Sequence, residues 1–163
     1  MSSTTFPGSG QPDAALLGRT WSDPPGLYGW FAAINHKTIS MRFMITTFGF
    51  FLAGGILAML IRLQLARPDS KLIGPDFYNQ LFTMHGTTMM FLFAVPVMQA
   101  IGSYLVPLMI GARSLAFPRM NAFAYWIFLF GGLMLYAAFL LDIGPDVGWF
   151  AYVPLAGPDY SPG

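Results

Sequence analysis

Two polar side chains stand inside long apolar runs, and each needs a physical reason to be there. His85 lies in the early part of residues 77–110. An imidazole in hydrocarbon wants both ring nitrogens satisfied, so it must face protein, a cofactor or water. At helical spacing Tyr78, Leu81, Phe82, Thr88, Met89 and Leu92 share its face, and Gly86 beside it allows close approach. Such a wall suits a flat, largely apolar cofactor held through an imidazole nitrogen. It also suits a core histidine hydrogen-bonded to a neighbouring helix, and the residue types alone leave both open. Arg62 is the one charge within residues 43–66. An arginine near the end of a span snorkels to the headgroups; here it could also donate to a carbonyl or acid group of a cofactor on the same side as His85.

Other candidates carry less. His36, in Asn35-His36-Lys37-Thr38, precedes the first apolar run and suits the membrane interface better than a metal. Two histidines and no cysteine are too few for a self-contained metal centre, so any such centre must be shared with other protein. Disulfides and thiolate chemistry are excluded, and glutamate is absent. The 11 methionines are scattered through the spans and form no copper-binding cluster.

The elements that must position these residues follow from hydropathy. The 163 residues are 55% hydrophobic and 9% charged, so most of the exterior must face lipid or other protein. A net charge of +1 without a basic cluster argues against nucleic acid as a partner. Residues 43–66, 77–110 and 121–141 are each long and apolar enough to cross a bilayer, which needs roughly 20 helical residues. Pro96 and Pro107 are natural kink points in the second. Gly49, Gly54, Gly55, Gly131 and Gly132 permit close helix approach or room for a cofactor. The expectation is an all-α membrane protein with three transmembrane helices, preceded by a polar, flexible arm over residues 1–26, with the membrane domain over 27–163. No cleavable signal is expected in the arm. The aromatic-rich segment over residues 27–34 suits the interface or packs on the membrane domain.

Lysine and arginine set the orientation. Arg19, Lys37 and Arg42 precede the first span, and Arg113 and Arg119 lie between the second and third. Arg67 and Lys71 sit between the first and second beside Asp69 and Asp76, and no base follows the third. The N-terminus is therefore expected on the cytoplasmic side, and the tail from Asp142 on the outer side. The tail, ending Ser161-Pro162-Gly163, reads as truncated before a fourth span.

Several longer motifs resemble one family. INHKTI at residues 34–39, LIR at 60–62, YNQLFTMHGTTMMFLF at 78–93, YLVPLMIGA with LAFPRMN across 104–121, and GWFAYVPLAGPDYSPG at 148–163 are similar, in order and spacing, to the N-terminal part of haem–copper terminal oxidase subunit I. The resemblance implies part of a twelve-helix core that oxidises cytochrome c, reduces dioxygen to water and pumps protons. It implies that His85 is an axial ligand of the low-spin haem iron, the haem being haem A, with Arg62 bonding a substituent of that haem. Tyr78 and Trp149 are then expected near its propionates. The high-spin haem and copper B would be held by helices beyond this part, which alone is not expected to be active. Implied partners are subunits of the II and III type, cytochrome c as donor and the lipid bilayer, in a bacterial plasma membrane.

Two positions depart from the family pattern. Ser114 stands where members that take up protons through this loop carry an aspartate, and Ser103 where many carry an asparagine. A serine can pass a proton through water but cannot hold the charge that attracts one. Within the superfamily the alternatives are a quinol oxidase or a nitric oxide reductase; outside it, a three-helix scaffold with a structural His85.

Overall fold

The computed structural model describes residues 25–160, so most of the expected arm, with Arg19, and the last three residues lie outside the described part. The chain divides into two compact units, residues 1–33 and 34–163. Of the first, the described part is α1, Gly26–Ala32, a short helix after Pro25 in which Trp30 and Phe31 meet edge to face at 5.0 Å.

The second unit is three long helices, and no β-strand occurs among the described residues. All three helices are long and apolar enough to span a membrane: α2, His36–Gln64; α3, Pro75–Met109; and α4, Pro118–Leu140. α2 begins seven residues before the apolar run at Phe43, because Asn35 caps it by accepting the Lys37 N–H at 3.1 Å. Its polar first turns are buried too: His36, Ser40 and Arg42 are all nearly inaccessible. At its far end Gln64 folds the next loop onto the helix, donating to the Ser70 carbonyl at 2.7 Å and accepting from Ile73 N–H at 2.9 Å.

α3 starts with Pro75 in its first turn, where a missing N–H costs nothing. Its middle, Thr88–Ala94, is a π-helix directly before Pro96. Proline removes a backbone donor and crowds the carbonyl four residues back, and the wider turn accommodates both. The chain then continues as α-helix through buried Pro107 without a break. Gly111, at φ 69°, closes the C-terminus of α3, and Pro118 opens α4.

Two clusters show how the three helices run. Ile39 and Phe43 of α2 pack with Ala100 of α3 and Tyr125 of α4. Leu57 of α2 packs with Leu81 and Met84 of α3, with Leu135 and Phe139 of α4 against them. The start of α2 thus meets the later part of α3 and the start of α4, so consecutive helices are antiparallel and α2 and α4 run parallel. Close approach is set by Gly132, where a methyl group would lie 2.5 Å from Phe50 Cζ. Large apolar side chains such as Leu52, Ile56, Met59 and Met134 remain more than half exposed, as lipid- or protein-facing residues must be.

Candidate functional site

His85 is half-buried near the middle of the bundle, three residues before the π segment. Its Nδ1 lies 2.9 Å from the Gly54 carbonyl oxygen of α2. A carbonyl can only accept, so Nδ1 carries the proton and a neutral ring keeps its lone pair on Nε2. Nε2 makes no hydrogen bond among the described residues. The glycine makes the contact possible: a methyl group at Gly54 would lie 3.0 Å from Met89 Sδ and 3.2 Å from Thr88 Cγ2. Thr88 is in turn fixed from α4, its hydroxyl 3.0 Å from the Tyr136 hydroxyl.

The helical wheel, about 100° per residue, sorts the neighbours of His85 into two flanks. Leu81 and Met84 turn toward α4, where Phe139 and Tyr136 pack on them, and Thr88 turns the same way. Tyr78, Phe82 and Met89 lie on the opposite flank, with Phe82 45% exposed. On α2, Phe50 and Leu57 face α4, whereas Phe51, Gly55 and Arg62 lie round the other side. There Phe51 and Phe48 meet Phe93 of the π segment at 4.6 and 5.8 Å between ring centroids. Gly55 has nothing within 4 Å of where a side chain would begin, which leaves this flank open. The side of the two helices away from α4 is therefore apolar, with Phe48, Phe51 and Phe93 in ring contact across it.

Within this frame the expected residues take definite places. Arg62, exposed, is eight residues past Gly54, roughly 12 Å along α2. Tyr78 is seven before His85, roughly 10 Å along antiparallel α3, so both lie toward the same end. Trp149 packs directly on Gly86: a methyl group there would lie 2.7 Å from Trp149 Cδ1. Ser114 is exposed in the α3–α4 connection, far along the chain from this group. Reading residue types missed the Gly54 carbonyl and Thr83. The former is backbone and carries no sequence signal, and the latter looks like one more helix threonine. His36, in the first turn of α2, is buried, with both ring nitrogens unpartnered.

No group of three or more histidine, cysteine, aspartate or glutamate residues is assembled among the described residues. What the site offers is one imidazole whose Nδ1 is anchored and whose Nε2 makes no hydrogen bond among the described residues, on helices whose side away from α4 is apolar, with a guanidinium and a phenol toward one end. That donor set fits a flat macrocycle with a single ligand from this chain and acidic or carbonyl substituents at its edge.

Comparison with known proteins agrees with that chemistry. Residues 38–162 match the family described as Cytochrome C and Quinol oxidase polypeptide I, and the chain belongs to it. A Streptomyces coelicolor protein, provisionally named a cytochrome c oxidase subunit 1-beta, is 51% identical over 138 residues, which are 84% of this chain and 24% of that one. Cytochrome c oxidase subunit 1 of Alkalihalophilus pseudofirmus is 42% identical over 135 residues, 83% of this chain and 22% of that one. The heme-copper oxidase subunit I+III of Aeropyrum pernix is 44% identical over 138 residues, 84% of this chain and 17% of that one. The chain thus spans about a quarter or less of the relatives it matches.

Proposed function

We propose that this chain supplies the N-terminal three helices of the catalytic subunit of a respiratory terminal oxidase, and that His85 Nε2 is an axial ligand of its low-spin haem. The observation that carries this is the Gly54 carbonyl at 2.9 Å, which fixes the tautomer and leaves Nε2 for iron. When bound, haem supplies reversible one-electron iron chemistry. Arg62, toward the same end as Tyr78, would donate hydrogen bonds to a carbonyl or acid substituent of the group, the formyl if the haem is haem A. Tyr78 and Trp149 would lie near the propionates and exclude water from them.

The remaining roles rest on family membership. High-spin haem and copper B belong to protein beyond these helices, and this chain alone does not reduce oxygen. Subunits of the II and III type cover part of its exposed apolar surface, and lipid the rest. The lysine and arginine pattern puts the N-terminus on the cytoplasmic side of a bacterial plasma membrane. The whole enzyme couples dioxygen reduction to proton pumping. The family description covers both cytochrome c and quinol oxidases, so the donor is the finer question. Oxygen consumption by the purified enzyme with reduced cytochrome c, and none with a quinol, is the expected result; the reverse would make it a quinol oxidase.

A further inference from the structure

The segment after α4 does not leave the bundle but runs along α3. Gln80 donates to Asp142 Oδ1 at 3.3 Å, and a methyl group at Gly144 would lie 3.5 Å from Gln80 Oε1. The Gly148 N–H donates to Thr83 Oγ at 2.8 Å, a buried contact across 65 residues of sequence. Trp149 then lies on Gly86. Gln80, Thr83 and Gly86 are spaced i, i+3, i+6, a line that winds round the back of α3 toward the His85 flank. The strap therefore carries Trp149 from α4 to the residue next to the proposed haem ligand.

We propose that Thr83 is a positioning residue that clasps this strap and so seats Trp149 beside the His85 turn. The role rests on the haem reading of His85 for its functional consequence, and on the geometry alone for the clasp. Thr83 is 1% exposed, and its hydroxyl is fully used: it donates to the Asn79 carbonyl at 2.8 Å and accepts from Gly148. The strap residue that meets it is conformationally specified, because Gly148 sits at φ 78° with the Phe150 ring 2.7 Å from where a Cβ would be. Removal of the hydroxyl leaves a buried N–H with no acceptor, which water reaches only if the strap lifts.

The test uses the assembled oxidase in detergent. Thr83→Val should speed amide exchange at residues 148–150 by about tenfold, and Thr83→Ser should hold it near the parent rate. Thr83→Val should also shift the midpoint potential of the low-spin haem, and Thr83→Ser should restore it. Gly86→Ala, which pushes the indole away while keeping the Thr83 hydroxyl, should reproduce the potential shift. Unchanged exchange in Thr83→Val would overturn the clasp. Faster exchange with no potential shift in either Thr83→Val or Gly86→Ala would overturn the positioning role. The exchange difference should persist in a His85→Ala background, so that a failure of the haem assignment is seen separately from a failure of the clasp.

Discussion

At His85 the decisive partner is a backbone oxygen. The Gly54 carbonyl chooses the tautomer, and the missing side chain at Gly54 lets α3 come near enough for the choice to be made. Gly54→Ala should therefore be tolerated only by movement of Met89, whose flexible thioether is the nearest atom, and of stiffer Thr88 behind it. The expected result is an enzyme that keeps its haem, with a shifted low-spin absorption band and a thermal midpoint lowered by overpacking of about 1–3 kcal/mol. An unshifted band in the purified variant would show that the carbonyl contact does not tune the ligand. At this scale the sequence speaks through residue types that are expensive in hydrocarbon, which is why His85 and Arg62 stand out. It is silent about carbonyl acceptors, and it hides Thr83, since a threonine on a helix has many uninformative reasons to exist.

The helices were legible as long apolar runs, but their ends and local winding were not. Hydropathy counts His36, Ser40 and Arg42 against a span, although the fold buries all three within the first two turns of α2. The two prolines of α3 read alike as kink points. Pro96 follows a π segment, whereas Pro107 sits inside continuous helix near its end. What separates them is position: Pro96 has the long helix on both sides, whereas Pro107 stands two residues from its end at Met109. Glycines divide in the same way. At Gly132 a methyl group would meet the Phe50 ring at 2.5 Å, while at Gly49 it would meet nothing within 4 Å. Gly132→Ala should lower the stability of the α2–α4 contact by about 1–3 kcal/mol, whereas Gly49→Ala should be neutral or slightly stabilising through helix propensity. Apparent melting temperatures of the two purified variants compare them directly, and equal values would mean that α2 and α4 do not depend on that close contact.

Across the whole three-helix unit, α3 runs antiparallel to α2 and α4, α4 packs on one side of the α2–α3 pair, and the strap from α4 brings Trp149 round the back of α3. On the proposed haem reading, the side away from α4 would receive the cofactor. The exposed Ser114 lies in the α3–α4 connection, on the side expected to face the cytoplasm. A neutral hydroxyl there lacks the charge that gathers protons, so Ser114→Asp should raise proton-coupled turnover in vesicles; unchanged turnover would place uptake elsewhere. On the proposed function, one of the two histidines binds haem iron and the other does not. His36 is buried with neither nitrogen partnered, whereas His85 has its Nδ1 anchored and its Nε2 free. The most direct measurement is the reduced-minus-oxidised spectrum of the purified His85→Ala and His36→Ala enzymes. Loss of the low-spin haem signal in His85→Ala, with the signal intact in His36→Ala, is the predicted result; an intact low-spin signal in His85→Ala would contradict it.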